Sequence, residues 1–226
     1  MAEKIVMKME KSLIKTALYT LLFLIVVEII AYFGFFRGIQ GFFSKFGYYI
    51  IFLVISIFIN SIAIWHIKAY DHMYTHMTGM MIGMTIGMTS GFSIGLITGA
   101  TNGMFIGSLA GVIIGMMAGG YSGYCCGIMG LMEGMMAGLM GGVMGPMTSV
   151  MTINDNVKIL MLLLTLAIIT IISGLIYLIY KEESMHMDDV KYKGFDFLPF
   201  ITVNFIITIA LTFLMVFGPK SFLFVQ

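Results

Sequence analysis

Long apolar runs separated by short polar clusters set the organisation of this chain. Positions 12–36 are almost continuously apolar, rich in Leu, Ile and Val, with a single acid, Glu28. After a polar link containing Arg37 and Lys45, a second run covers 47–68 and closes on Trp65, His66, Lys68 and Tyr70, residues expected at a headgroup belt. Neither run alternates with period two, so both predict helices rather than strands. Two further runs, 157–180 and 197–217, have the same character and are separated by a hydrophilic loop, 181–193.

Between these pairs the pattern changes. Glycine returns at every fourth position at Gly79, Gly83, Gly87, Gly91, Gly95, Gly99, Gly103, Gly107, Gly111, Gly115, Gly119, Gly123 and Gly127; after a three-residue step the beat resumes at Gly130, Gly134, Gly138 and Gly142. The block is too long for one crossing of a hydrocarbon core about 30 Å thick at 1.5 Å per residue. Polar interruptions at 98–103 and 119–123 predict three spans, about 78–97, 103–118 and 124–147, the middle one short enough to be partly re-entrant. The fold class expected is all-α, a polytopic transmembrane helical bundle of about seven spans, with six the rival count. The expected divisions are an N-terminal transmembrane hairpin (1–70), a Gly/Met-rich core of about three spans (71–151) and a C-terminal transmembrane hairpin (152–226).

Composition agrees. Of 226 residues, 60% are hydrophobic and 10% charged, with a mean hydropathy of +1.03. A soluble domain carries about a quarter charged residues. The net charge of +1 and the absence of a basic patch give no reason to expect a nucleic-acid partner. The lipid bilayer is the expected environment, with a homo-oligomer or other membrane subunits as partners. No cleavage site follows the first apolar run, so it is expected to stay as an anchor. With seven spans and a cytoplasmic N-terminus, Lys4, Lys8, Lys11, Lys15, Lys68, Lys181, Lys191 and Lys193 fall inside, and Arg37, Lys45, Lys158 and Lys220 outside. That bias follows the positive-inside rule and suits a multi-pass protein of a plasma or inner membrane.

Glycine at a four-residue step leaves a groove into which a neighbouring backbone can settle, the basis of close helix association in lipid. Because four residues turn a helix by roughly 400°, the stripe drifts about 40° per glycine and reaches more than one neighbour. Gly79, Gly83, Gly87, Gly91, Gly95, Gly107, Gly111, Gly134 and Gly138 are therefore expected to be helix-packing residues of a glycine zipper.

Candidate chemistry rests on sulfur. Of 24 methionines, 17 lie between Met73 and Met151. Met73, Met77, Met80, Met84 and Met88 form one stripe at helical spacing. On a wheel, Cys125, Met129, Met132, Met136, Met140 and Met147 share a face opposite Gly127, Gly130, Gly134, Gly138, Gly141 and Gly145. Thioethers and thiolates select Cu(I) over harder ions, and a ladder of weak ligands suits conduction. Methionine is equally an adaptable filler opposite glycine grooves. His72 and His76, interleaved with Met73 and Met77, and the Met185-His186-Met187 segment could capture such an ion at the membrane mouths. Glu28 and Glu133, acids within apolar runs, are candidates for a proton or ion path. No nucleotide-binding loop, nucleophile elbow or zinc-protease helix is present, so a non-enzymatic role is expected.

Met80-x-x-x-Met84-x-x-x-Met88 and Gly79-x-x-x-Gly83 resemble, at motif level, the M-x-x-x-M and G-x-x-x-G signatures of eukaryotic high-affinity copper-uptake transporters. The resemblance implies that Met84 and Met88 are thioethers of an ion path. It covers about a tenth of the chain, and that family has three spans, with its two motifs on different helices. From these features the expected function is binding or transport of a soft metal ion, Cu(I) above others, through a Met-lined glycine-zipper core. The alternatives are a glycine-packed structural or assembly subunit, and a glycine-zipper channel without a metal ligand.

Overall fold

The computed structural model describes residues 42–69, 76–153, 155–185 and 197–220, together with Tyr19, Leu22, Ile25 and Val26. Apart from those four residues, which are helical, the predicted first span at 12–36 lies outside the described residues, Glu28 included. Among the described residues the elements are α1 (Phe42–Ala69), α2 (His76–Asn102), α3 (Met104–Gly123), a 3₁₀ turn (Tyr124–Cys126), α4 (Gly127–Met151), α5 (Val157–Met185) and α6 (Phe197–Phe217). Four stretches are long and apolar enough to cross a membrane: Phe46–Lys68, Met77–Asn102, Met104–Met151 and Val157–Lys181; Ile201–Phe217 is a shorter apolar helix. The 48-residue Met104–Met151 stretch is folded double at the 3₁₀ turn and supplies two antiparallel helices.

The element boundaries differ from those expected. Helix α2 continues through the polar 98–102 segment, because Thr98 and Thr101 donate to carbonyls of their own helix, Ile94 O at 2.7 Å and Ile97 O at 3.2 Å. The 119–123 segment is likewise helical and forms the end of α3, so the middle helix is a full 20 residues long. What stops the helices is backbone conformation. Gly103 (φ 104°, ψ 172°) separates α2 from α3, and Gly127 (φ 81°, ψ −163°) opens α4. Both lie in a region of backbone space that is essentially restricted to glycine.

Helices α2, α3 and α4 pack backbone against backbone. Out from the Gly103 turn, Gly99 meets Gly107, Gly91 meets Gly115, Gly87 meets Gly119 and Gly83 meets Gly123. Across the second turn, Gly123 meets Gly130, Gly119 meets Gly134, Gly115 meets Gly138 and Gly111 meets Gly142, while Pro146 takes the glycine's place opposite Gly107. The three-residue step between Gly127 and Gly130 belongs to this turn: six residues separate Gly123 from Gly130, against seven between Gly99 and Gly107, so the beat is shifted by one. Helices α2 and α4 run parallel. A Cβ on Gly91 would lie 2.7 Å from Gly138 O of α4 and 3.2 Å from Gly111 O of α3. One stripe thus serves two neighbours, as its drift requires, and backbone fills the axis of the three-helix unit.

The remaining described helices flank this unit. Helices α5 and α6 each pack against α1 and α2. Two apolar clusters make these contacts. One joins Leu53, Ile57, Ile94, Ile97, Met161 and Met215; the other joins Ala63, Ile67, Ile82, Ile86, Ile172 and Ile179. The ends of the bundle carry basic–aromatic pairs. Lys68 Nζ lies 4.2 Å from the Tyr121 ring centre at one end; Lys158 and Lys220 lie 5.9 and 5.0 Å from Tyr48 and Phe46 at the other.

A polar seam runs through the apolar contacts. Asn60 of α1 donates to Ser56 O at 2.8 Å and Ser93 Oγ at 3.5 Å, and accepts from Thr89 Oγ1 at 2.9 Å. Ser61 donates to Asn204 Oδ1 of α6 at 2.5 Å, and Asn102 Nδ2 donates to Leu214 O at 3.0 Å. Thr89 and Ser93 also donate within α2, to Thr85 O at 2.8 Å and Ser90 O at 3.2 Å, so neither is stranded when Asn60 is removed. Asn60→Leu should therefore cost only about 1 kcal/mol, as for other interhelical hydrogen bonds in bilayers. Reversible unfolding in mixed micelles measures this. A loss above about 3 kcal/mol would mean that the seam holds α1 in place by more than these bonds.

Candidate functional site

Two geometric rules decide where the sulfur goes. Glycine and methionine occupy opposite sides of α4, and the three core helices turn their glycines towards one another. The methionines must then face outward. Met129, Met132, Met136, Met140 and Met147 are exposed on α4, while Gly130, Gly134, Gly138, Gly141 and Gly145 are buried. On α2, Met77, Met84 and Met88 are exposed and Met80 is half-buried. Met132 and Met136 keep 63% and 66% of their surface. Within one chain these thioethers line the outer face of the core, not an internal path.

The expected mouth clusters are placed only in part. His72, Met73, His186 and Met187 lie outside the described residues; His76 and Met185 are described only as the first and last residues of α2 and α5. Glu133 is half-buried on the second turn of α4. Among the described residues, no three His, Cys, Asp or Glu side chains converge as a metal site.

The turn between α3 and α4 does concentrate chemistry. Tyr124, Cys125 and Cys126 form one 3₁₀ turn, with Gly127 reversing the backbone behind it and donating its N–H to Tyr124 O. This turn folds both cysteine side chains to the same side. Their Sγ atoms lie 3.5 Å apart, and Cys125 Sγ is 3.2 Å from Ser122 O. Cys126 is buried and Cys125 half-buried. Cys126 fits only because residue 79 of α2 has no side chain: a Cβ there would overlap the Cys126 Cβ and Sγ. Gly79, expected to pack helix on helix, thus accommodates a thiol.

Two features were not anticipated. Cys126 Sγ lies 3.5 Å from Cys125 Sγ, a relation that adjacent residues on an α-helical wheel would not give, since they diverge by 100°. The Asn60–Thr89–Ser93 seam was also missed, although the signal was present: an Asn within an otherwise apolar run, and on α6 the buried trio Asn204, Thr208 and Thr212 at four-residue spacing.

At the opposite end, Tyr49, Ala100, Ser149, Ile153, Asp155, Asn156, Val157 and Lys158 line a cleft of about 310 Å³. It is open to the surface and brings one cation and one carboxylate to the rim. No known protein family, curated protein or solved structure matches the chain.

Proposed function

We propose that the chain is a multi-pass integral membrane protein acting as a glycine-packed structural or assembly subunit. It presents the methionine-rich outer face of α3 and α4 to other membrane proteins. The observation that carries this reading is the division of labour on α4: glycine backbone inward against Gly111, Gly115 and Gly119, and thioethers outward. A backbone-filled axis supports a rigid insert better than a conduit through one chain. Methionine's flexible, polarizable side chain suits a face that must adapt to a partner. Seven spans, a glycine zipper and a cytoplasmic N-terminus belong to the same proposal, with Lys68 and Lys181 at the cytoplasmic end. No catalytic step is assigned.

The test is site-directed photocrosslinking in native membranes. A benzophenone side chain replacing Met132 or Met136 should give a discrete protein adduct, whereas the same group at Leu163 or Leu166, exposed on α5, should crosslink lipid. Lipid adducts alone at all four positions would end the proposal. A companion variant, Met129, Met132, Met136 and Met140 all →Leu, should stay folded, with stability changed by less than about 1.5 kcal/mol, as for volume-conserving swaps. Chemical denaturation in detergent checks this.

Soft-metal handling is retained as a second reading because of one observation, the paired thiols at the α3–α4 turn.

A further inference from the structure

We infer that the Cys125–Cys126 turn is a two-thiolate chelating site for a single soft, thiophilic metal ion of the Cu(I) class, completed by at least one further donor. Neighbouring cysteines need not bring their sulfurs together. Here a 3₁₀ turn does so, to 3.5 Å, and the missing side chain at Gly79 leaves Cys126 Sγ the space it occupies. Exposure is graded: Cys126 is buried, while the half-exposed Cys125 provides entry from the end of the bundle.

Geometry separates metal binding from disulfide formation. Consecutive Cα atoms across a trans peptide are about 3.8 Å apart, shorter than the roughly 4.4–6.8 Å usual for a disulfide. Oxidation would have to distort the turn. A chelated ion would not. With metal–sulfur bonds of about 2.3 Å, two sulfurs 3.5 Å apart subtend an angle of about 100° at the ion. That is far from the straight arrangement of a two-coordinate dithiolate and close to trigonal or tetrahedral coordination, so another ligand is required. Met80, beside Gly79 on α2, and Met129, three residues after Cys126, are thioethers at this end of the bundle. Soft donors of this kind select Cu(I) over hard ions.

The binding step is a proton exchange without redox change. Both S–H bonds break, two sulfur–metal bonds form, and two protons pass to water. The site stands on the turn alone and does not depend on the assembly role proposed above; loss of either leaves the other intact.

Competition for Cu(I) against bathocuproine disulfonate, under ascorbate, tests the site in the full chain purified in detergent. Wild type should hold one Cu(I) at this site, with an ultraviolet sulfur-to-metal charge-transfer band. Cys125→Ser and Cys126→Ser should each weaken that binding roughly 100-fold, the scale of losing one arm of a chelate. Gly79→Ala keeps both thiols but displaces Cys126 Sγ, and should weaken binding as well. A Cys125→Ser/Cys126→Ser variant that holds as much Cu(I) as wild type overturns the inference, as does wild type that fails to compete. Phenylarsine oxide gives a check on unmutated protein: its arsenic condenses with two close thiols, releasing one water. It should protect both cysteines from maleimide. Maleimide modification that continues undiminished would overturn the inference too.

Discussion

Replacing Gly138 by alanine should destabilise the protein by about 3 kcal/mol, the upper part of the overpacking range, and replacement by leucine should leave no folded core. A Cβ at this position overlaps the carbonyl carbon and oxygen of Gly115 and lies 2.5 Å from Met116 N. These are backbone atoms of a facing helix, so no side chain can swing aside to make room. The whole helix has to move, and with it the contacts of Gly111 and Gly119. Two other glycines calibrate the effect. At Gly120 the nearest obstacle is the flexible Met135 side chain, with Cγ at 3.1 Å, and at Gly174 nothing lies within 4 Å. Gly120→Ala should cost less than about 1 kcal/mol, because Met135 can change rotamer. Gly174→Ala should be neutral or stabilising by up to about 1 kcal/mol, the intrinsic preference of a helix for alanine. Unfolding midpoints in mixed micelles, followed by circular dichroism, rank the three. If Gly138→Ala and Gly174→Ala behave alike, backbone contact is not what holds the core.

The second large effect comes from the turns. Gly127→Ala should cost about 1–3 kcal/mol, the usual cost of backbone strain in such regions, although no atom of a facing helix or more distant side chain stands within 4 Å of the added methyl. The penalty is purely conformational: φ is 81° at Gly127 and 104° at Gly103, where an L-residue's Cβ collides with its own backbone. A semisynthetic chain with D-alanine at 127 should recover most of the loss, since the mirror-image residue favours positive φ. Equal destabilisation by L- and D-alanine would show that crowding, and not conformation, sets the cost. Gly103→Ala should lose at least as much, since that turn lies directly beside the Gly99–Gly107 contact.

The sequence pattern made some of this legible and hid the rest. Helical, apolar and glycine-striped segments were readable because period and composition act locally, and Gly130, Gly134 and Gly138 are buried opposite exposed Met129, Met132 and Met136 as the wheel phases them. Helix ends were not. Polar residues such as Thr98 suggested a break, yet threonine can bond its own helix four residues back. The true stops, Gly103 and Gly127, are on-beat glycines identical in type to their buried neighbours. Only the tertiary arrangement shows which glycine turns and which packs. The destination of the sulfur face was hidden for the same reason: a wheel fixes the angle between two faces, not which one meets the neighbour. Once the glycines of α2, α3 and α4 meet, Met84 and Met88 have no inward direction left. The convergence of Cys125 and Cys126 depends on a 3₁₀ turn that no periodicity announces.

A stripe with a uniform spacing carries an ambiguity of its own. Sliding α4 along α2 by one repeat moves it about 6 Å and sets each glycine against the next one along, so the interface itself scarcely distinguishes native from slipped alignment. The distinction has to come from the places where the repeat is broken. Pro146 sits against Gly99 and Gly107, where the next glycine of the series would fall, and Cys126 fills the space above Gly79. Between them these two residues act as end-stops on a ratchet whose teeth are all alike. Exchanging Pro146 for glycine would extend the comb by one tooth and remove one of the stops, favouring alignment errors during assembly rather than weakening the finished contacts.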